Sequence, residues 1–485
     1  MRKPVTSRIQ GSPNIVDAAE AASLVPDDAT VLVSGFGSVG YPKAVPLALA
    51  ESDRNLSLTI VSGGSTGAEI DSELAEADAV ARRFPYQARP EMRAAVNDGT
   101  VAFHDRHVSQ LGDEVQYGSL VAPDVAVVEA IAVGPDWLIP STSIGQTPAF
   151  VESVDRLIVE VNESQPLGLQ HVHDVYRPGQ PPNREPIPLT DPAGTLGDAR
   201  VRFDPDTLTA VVQTDRPDSP YSFRDPTAAD QEIARHFAEF FVEESKRTAI
   251  FEDTVHLQFG VGSLGNALTE SLSTMDLGDR DLVYFGEVIQ DGLLEMIDAG
   301  QLSGASATTL ALSANGQEKL FSDIEEYAND IVLRPTDISN NAALIDRFGV
   351  VAVNSALEVD IFGHVNSTHV NGTKLINGIG GSADFSRNAF VSVIALPSTA
   401  SGGDISRIIP MAPHVDHTEH ETDVVITEHG IADLRGLSPA ERASEMVASC
   451  ADPRYREDLR EYLERGADVG HIPHDIETSY SWTTD

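Results

Sequence analysis

The stretch TVLVSGFGSVG at residues 30–40 joins a run of aliphatic and β-branched residues to three closely spaced glycines. The same design recurs at residues 254–272, TVHLQFGVGSLGNALTESL, where the glycine triplet lies 225 positions after the first. A strand that enters a helix through a glycine-rich turn is the repeating unit of α/β proteins. The repeat therefore predicts two related α/β units.

Strand-like runs alternate with amphipathic helical stretches along the rest of the chain, which is typical of mostly parallel sheets covered by helices. Proline and charged residues concentrate at 176–194 and 214–230, where neither a long helix nor a central strand can continue. We therefore predict two open, mostly parallel sheet domains covered by helices. Their predicted bounds are residues 1–222 and 223–485.

The composition limits both the class of protein and its partners. The chain has 485 residues, of which 41% are hydrophobic and 22% are charged, and this indicates a folded globular protein. Its 75 acidic and 33 basic residues give a formal net charge of −42, so nucleic acid is not an expected partner. An acid-rich, lysine-poor surface suits very concentrated salt, where short Debye lengths screen the repulsion between carboxylates. We therefore expect a halophilic protein.

The sequence also predicts where the protein is located. The first ten residues contain no apolar core of the kind a signal peptide needs, and no uncharged apolar run reaches the length of a membrane span. We expect a soluble, cytoplasmic protein with no membrane partner. The single cysteine, Cys450, excludes an internal disulfide framework.

The cluster HVDHTEH at residues 414–420 raises the question of a metal site, because it offers three imidazoles and two carboxylates. It lacks the H-E-x-x-H arrangement that places two histidines on one face of a helix. We therefore predict a hydrogen-bonded turn here and no metal site.

Gly260, Gly262 and Gly265 form the pattern G-x-G-x-x-G after a strand, and Glu287 follows 22 residues later. This arrangement is close to the dinucleotide-binding fingerprint, in which an acidic residue binds the ribose. However, the pattern lies in the middle of the chain, and the N-terminal glycine triplet has no acidic residue at the corresponding place. A glycine-rich turn also suits other phosphate-bearing ligands. An NAD-dependent oxidoreductase therefore stays an alternative.

Glu287 is also a candidate to react directly. In DLVYFGEVIQDG, residues 281–292, an apolar strand places Gly286 and Glu287 at its carboxyl end, where open α/β sheets bind their ligands. A carboxylate at this position can attack a carbonyl group. The structural alternative is a glutamate that only stabilises the start of the next helix. This segment alone leaves both roles open.

The segment NGIGGSADFSRNA at residues 377–389 contains closely spaced glycines before a serine and an aspartate. Backbone N–H groups in such a segment can bind an anion or stabilise an oxyanion during acyl transfer. The structural alternative is a tight turn that requires positive φ. Both roles fit the segment taken by itself.

Four segments resemble those of a known family: FGEVIQDG, NGIGGSADFSRNA, SGGDISRIIP and HVDHTEHETDVVITEHGIADLRGLSP. Together they resemble the acetyl-CoA hydrolase and CoA-transferase family, and the similarity extends from about residue 29 to residue 462. The resemblance implies two domains of the family I CoA-transferase type, with the nucleophile and the CoA-binding loops in the second. It also implies a homodimer, acyl-CoA and small carboxylates as substrates, and no tightly bound cofactor.

The resemblance implies roles for individual residues. Glu287 would be the nucleophile, with the side-chain amide of Asn340 and the N–H of Gly381 as oxyanion donors. The residues implied to bind CoA are Gly260, Val261, Gly262, Ser263, Leu264, Asn377, Gly381 and Ser401.

Two positions depart from the family pattern. Ser263 stands where relatives usually have an asparagine, and Ser401 stands where many have a lysine. The loss of an ammonium group would weaken contacts with the phosphates of CoA. Arg407 is a candidate to compensate for it.

The resemblance thus implies a CoA-transferase that moves CoA between acetyl-, propionyl- or succinyl-CoA and a free carboxylate through a glutamyl-CoA thioester. An acetyl-CoA hydrolase, in which water resolves the same intermediate, is one alternative. A CoA-binding sensor without turnover is another.

Overall fold

The computed structural model describes residues 4–118, 120–219, 224–275, 277–467 and 470–479 of the chain. The chain forms two compact units, each assembled from three segments. The first unit consists of residues 1–222, 284–297 and 303–344, and the second of residues 223–283, 298–302 and 345–485. Glu287 therefore groups with the N-terminal segment, whereas the predicted domains placed it with the C-terminal residues. The domain bounds 1–222 and 223–485 stay a prediction.

Strands and helices alternate along the chain. The strands in chain order are β1 Thr30–Val33, β2 Leu58–Ser62, β3 Val80–Phe84, β4 Ala102–Phe103, β5 Val125–Val133, β6 Trp137–Pro140, β7 Leu157–Asn162, β8 Val201–Arg202, β9 Leu208–Thr214, β10 Thr254–Phe259, β11 Asp281–Phe285, β12 Val288–Ile289, β13 Gly304–Ala307, β14 Thr309–Leu310, β15 Ile331–Leu333, β16 Val351–Ser355, β17 Glu358–Asp360, β18 Val365–Asn366, β19 His369–Val370, β20 Lys374–Leu375, β21 Val391–Ala395, β22 Thr399–Ala400, β23 Ile405–Ser406, β24 Ile408–Ile409, β25 Val424–Thr427 and β26 Gly430–Asp433. The helices are α1 Ala18–Ser23, α2 Ala44–Ala50, α3 Leu74–Glu76, α4 Pro90–Asp98, α5 Val108–Gln116, α6 Thr147–Glu152, α7 Ala228–Arg247, α8 Ser263–Ser273, α9 Asp291–Asp298, α10 Ala314–Ser322, α11 Ile324–Tyr327, α12 Thr336–Ser339, α13 Ala342–Phe348, α14 Ser382–Asn388, α15 Pro439–Ser449, α16 Arg456–Gly466 and α17 Ile476–Ser479. In the described parts of the chain, no helix combines the length and the hydrophobicity that crossing a membrane requires.

The first unit contains a nine-stranded sheet built around β5. Strands β1, β2, β3 and β4 follow one another on one side of β5, and all of these pairs are parallel. Strand β7 pairs parallel with β5, and β9 pairs parallel with β7. Strand β6 pairs antiparallel with β5, and β8 pairs antiparallel with β6. All nine residues of β5 are buried, as expected for a parallel strand covered on both faces.

Four parallel strands, β10, β16, β21 and β25, pair in this order in the second unit, and β26 pairs antiparallel with β25. Helix α14 packs against β16 and β21, α7 against β25, and α15 against β26. The predicted α/β class with mostly parallel sheets is confirmed.

Each unit contains the strand, the glycine-rich turn and the helix that the repeat predicts. In the first unit, β1 leads through residues 35–40 to α2. In the second unit, β10 leads through residues 260–262 directly into α8.

Two short parallel pairs lie around Glu287 in the first unit. Strand β12, which begins at Val288, pairs with β14, which begins at Thr309, and β13 pairs with β15. Directly after β15, the fully buried Arg334 forms an ion pair with the buried Asp174. Because separating such a pair would leave a buried charge uncompensated, this contact holds the segment in place.

Candidate active site

Glu287 lies between β11 and β12, at the carboxyl end of an apolar strand, where the sequence pattern predicts it. The backbone N–H groups of Thr308 and Thr309 donate to its carbonyl oxygen at 2.9 and 3.2 Å. The hydroxyl of Tyr284 donates to the carbonyl oxygen of Val288 at 3.0 Å. These bonds fix the backbone of the segment, and the Glu287 side chain is half-buried among buried neighbours in the chain.

Asn340 lies directly beside the carboxylate of Glu287. It follows α12, is 1% exposed, and donates through Nδ2 to Glu287 Oε1 at 2.7 Å. The hydroxyl of Ser339 donates to Asn340 Oδ1 at 2.8 Å. Because Oδ1 accepts from Ser339, the N–H₂ end of the amide faces Glu287. The structure therefore brings together two predicted site residues and fixes the orientation of the amide.

The first glycine turn, residues 35–40, lies against β14 in the same unit. The hydroxyl of Thr309 donates to the carbonyl oxygen of Phe36 at 2.9 Å. A small buried apolar cluster is formed by Phe36, Val108, Val288 and Ala311. Because Val288 directly follows Glu287, this cluster anchors the backbone next to the candidate nucleophile. Sequence reasoning missed Phe36 and Thr309, which lie 273 positions apart and share no local pattern.

Two titratable groups close to these residues have shifted pKa values. Burial, and to a smaller extent the negative charge of Glu287, raises the pKa of Tyr284, so its hydroxyl stays neutral. Burial raises the pKa of Asp337 to about 6, although Arg177 lies 2.7 Å from its Oδ2 and opposes the shift. Both shifts indicate that the region is poorly solvated.

The segment GYPKAVP, which follows the first glycine turn, contains a buried lysine. Lys43 Nζ lies 2.5 Å from Glu129 Oε2 and 2.8 Å from Asp218 Oδ1, and all three side chains are at most 1% exposed. The backbone N–H groups of residues 43–45 donate to Glu160 at 2.6 to 3.0 Å. Burial raises the pKa of Glu129 to about 7 in spite of Lys43. This network ties the chain after the turn to the sheet.

The second glycine turn belongs to the second unit and is open on one side. The N–H of Gly260 donates to the carbonyl oxygen of Val353 at 3.1 Å. A Cβ atom at Gly260 or Gly262 would meet no atom within 4 Å. Gly262 has φ +126°, a conformation that favours glycine, and Val261 is 41% exposed. The turn before Ser263 therefore leaves space available to a ligand.

Asn377 and Gly381 lie in another turn of the second unit. Asn377 Oδ1 is buried and has no hydrogen-bond partner among the described residues. Native structures rarely leave a buried polar atom unpaired. This atom is therefore a candidate to bind a ligand group. Gly381 directly precedes α14.

Ser401 is exposed in a turn of the second unit, and two arginines belong to the same region. Arg407 is half-buried, and burial lowers its pKa, although two glutamates oppose this shift. Arg454 lies so close to Gly403 that a Cβ atom there would overlap its guanidinium, and Asp452 accepts from it at 2.9 Å. Sequence reasoning named Arg407 and missed Arg454.

The HVDHTEH segment forms a hydrogen-bonded turn. Asp416 accepts from the N–H of Ser367 at 2.6 Å and from the hydroxyl of Thr368 at 2.9 Å, and His414 Nε2 lies 3.1 Å from its Oδ1. Within the ranges that the structure describes, no group of three or more His, Cys, Asp or Glu residues is arranged to hold a metal ion.

Fold and site together define an α/β protein whose candidate nucleophile is a carboxylate at the end of a strand. The family models for the acetyl-CoA hydrolase/transferase N-terminal and C-terminal domains match residues 8–213 and 316–463. The chain is 40% identical to the succinyl-CoA:acetate CoA-transferase of Clostridium kluyveri, over 97% of this chain and 88% of that protein. It is 36% identical to the acetyl-CoA hydrolase of Yarrowia lipolytica, over 93% and 90% respectively. The chain belongs to the acetyl-CoA hydrolase/transferase family, and it is an enzyme.

A solved structure supports the fold. RipA from Yersinia pestis has a TM-score of 0.70 and 23% sequence identity, and the match covers 93% of this chain and 97% of that chain. The resemblance and the fold class that the sequence motifs predict are thus confirmed. The roles of the individual site residues stay predictions.

Proposed function

We propose that this enzyme transfers CoA from an acyl-CoA to a free carboxylate through a thioester between CoA and Glu287. The observation that carries this proposal is the 2.7 Å hydrogen bond from Asn340 to Glu287, with the amide oriented by Ser339. The name of the Clostridium kluyveri relative supports acyl-CoA and small carboxylates as the substrates.

The reaction begins when Oε2 of Glu287 attacks the carbonyl carbon of the thioester. The C–S bond breaks, and CoA leaves as a thiolate, which gives an acyl-glutamyl anhydride. The thiolate then attacks the glutamyl carbonyl carbon, and the acyl group leaves as a carboxylate. An incoming carboxylate reverses these steps on the glutamyl-CoA thioester. The free energy of the thioester is thereby conserved.

Asn340 stabilises the negative charge that develops at the glutamyl carbonyl oxygen. When Oε2 is acylated, Oε1 remains as the carbonyl oxygen, and negative charge develops on it as the thiolate attacks. The amide N–H is placed at this oxygen before the reaction begins. Loss of one such preorganised donor typically costs about 2.7–4 kcal/mol. We assign the N–H of Gly381 to the other oxyanion, on the acyl carbonyl, from the family resemblance.

The proposed CoA contacts are taken from the family resemblance. The open turn at residues 260–264 and the unpaired Oδ1 of Asn377 support this assignment. Ser401 would contribute a hydroxyl. Arg407 and Arg454 would contribute positive charge in place of the lysine that many relatives have.

Transfer and hydrolysis differ only in whether a carboxylate or water resolves the thioester, and the relatives carry both names. The 1% exposure of Asn340, which contacts Glu287, and the burial that raises the pKa of Tyr284 support a poorly hydrated site, which favours transfer.

The release of CoA from acetyl-CoA, measured with and without succinate or propionate, separates the two activities. For transfer, we expect free CoA to appear slowly and the acyl-CoA of the acceptor to form rapidly when the acceptor is present. Release of CoA at the same rate without an acceptor would assign a hydrolase instead.

We also infer a cytoplasmic, halophilic homodimer. The net charge of −42 supports the halophilic part, because concentrated salt screens repulsion between carboxylates. The thermal unfolding midpoint should therefore rise between dilute and molar KCl. Light scattering measures the oligomeric state, and a monomeric mass would contradict the dimer.

A further inference from the structure

The buried side chain of His417 contacts the glycine turn that carries Gly381. His417 is 0% exposed, and its Nε2 lies 3.1 Å from the hydroxyl oxygen of Ser382. This hydroxyl donates to the carbonyl oxygen of Ile379 at 2.9 Å. Two consecutive hydrogen bonds therefore join His417 to both ends of the turn at residues 379–382.

The direction of these hydrogen bonds follows from the available protons. A serine hydroxyl has a single proton, and Ser382 gives it to the Ile379 carbonyl, which can only accept. In the tautomer that satisfies both contacts, His417 carries a proton on Nε2 and donates it to Ser382. In this state the imidazole is not a base toward the serine, so the pair is not arranged as an activated nucleophile.

The imidazole is held in place by its surroundings. Backbone hydrogen bonds in both directions join His417 to Val365 at 2.9 and 3.2 Å. Its Nδ1 is buried without a hydrogen-bond partner among the described residues. The carboxylate of Glu421 lies 3.8 Å from Nδ1, beyond hydrogen-bond distance, although the imidazole still lowers the pKa of this carboxyl. Ser382 is therefore the described hydrogen-bond partner of the ring.

We propose that His417 is a positioning residue: through Ser382 it holds the turn at residues 379–382 and so fixes the direction of the Gly381 N–H. This role rests on the proposed function, which assigns that N–H to the oxyanion of the acyl carbonyl. The turn needs support from outside, because Gly380 and Gly381 have no side chains and a glycine backbone is conformationally free. His417 supplies this support from a separate segment of the second unit.

Paired variants at each end of the hydrogen-bonded link test this role in transfer from acetyl-CoA to succinate. His417→Leu removes the donor, whereas His417→Gln keeps an N–H group at a comparable reach. Ser382→Ala removes the hydroxyl, whereas Ser382→Thr keeps it. In the Leu and Ala variants, we expect kcat to fall about tenfold or more, because a displaced donor lowers the rate. The KM for acetyl-CoA should stay within about twofold of the wild type.

The Gln and Thr variants should recover most of kcat, which a role limited to packing would not produce. His364→Gln is the matched control, because His364 is a half-buried histidine whose described partners are Asp360 and Glu419. Its kcat should match the wild type. Ser382→Ala decides the test if His417→Leu does not fold, because it removes only one hydroxyl. The thermal unfolding midpoint of every variant is measured to show whether the variant is folded.

An unchanged kcat in folded Ser382→Ala would overturn this role, as would a fall in kcat that His417→Gln does not recover. Covalent labelling of Ser382 by a fluorophosphonate would also overturn it, because the serine would then be a nucleophile. Failure of the proposed function gives a different result. In that case the wild-type enzyme forms no CoA adduct at Glu287, whichever residue stands at position 417.

Discussion

The two glycine-rich turns share a sequence design but differ in what surrounds them. In the first, a Cβ atom at Gly40 would lie 2.7 Å from the backbone nitrogen of Ser143, and φ is +66°. In the second, a Cβ atom at Gly260 would meet no atom within 4 Å. The first turn is packed inside its unit close to Glu287, whereas the second keeps an open face. The same motif is therefore part of the packed core in the first turn, and it leaves space for a ligand in the second turn.

This difference indicates which measured quantity each region controls. Residues around the packed turn and Glu287 should affect kcat or the free energy of unfolding. Residues around the open turn should affect the KM for acyl-CoA, because they are proposed to bind CoA and not to support the core.

In the packed region, Asn340→Ala should lower kcat by about two to three orders of magnitude, because the donor at Glu287 Oε1 is lost. The KM for acetyl-CoA should change much less. Steady-state kinetics with acetyl-CoA and succinate measure both constants. The control is Asn341→Ala, whose side chain bonds backbone groups of its own region. A kcat for Asn340→Ala equal to that of this control would reject the role of the amide.

The two turns can be compared directly with the same substitution. Gly40→Ala should lower the free energy of unfolding by about 2–4 kcal/mol, because its methyl group overlaps Ser143 and its φ is unfavourable. Gly260→Ala should change this free energy by less than about 1 kcal/mol and should raise the KM for acyl-CoA. Denaturant unfolding of both variants checks the difference. Equal losses of stability would show that the turns do not differ in packing.

A smaller effect is expected at the charged edge of the open region. Arg407→Ala should raise the KM for acyl-CoA about threefold to tenfold, as expected for one partly exposed charge contact. Ser401→Lys, which restores the family's lysine, should lower the KM and weaken the effect of Arg407→Ala. An unchanged KM in Arg407→Ala would reject the compensation by Arg407. A raised KM in Arg454→Ala alone would assign the contact to Arg454.

Local patterns in the sequence were sufficient to predict several parts of this molecule. The change from apolar strand to glycines to helix predicts both turns, and the strand that ends at Phe285 predicts the position of Glu287. These signals are local because backbone conformation and burial of one face depend on neighbouring residues. The role of Asn340 follows only from the family resemblance, since DISNNAAL has no pattern that points to Glu287.

Contacts between distant segments could not be predicted in this way. The packing of residues 284–297 with the N-terminal segment, and the bond from Thr309 to Phe36, depend on tertiary structure and leave no periodic signal. The burial of Lys43 runs against the general rule that lysines are exposed. It is tolerated because two carboxylates, brought together by the fold, compensate its charge.

Mass spectrometry tests whether the proposed thioester forms on Glu287. The enzyme is mixed with acetyl-CoA without an acceptor, and its intact mass should increase by that of CoA less one water. Peptide mapping should locate the adduct at Glu287, succinate should remove it, and Glu287→Ala should form none. Full activity in Glu287→Ala, or turnover by a wild-type enzyme that never carries CoA, would contradict the mechanism.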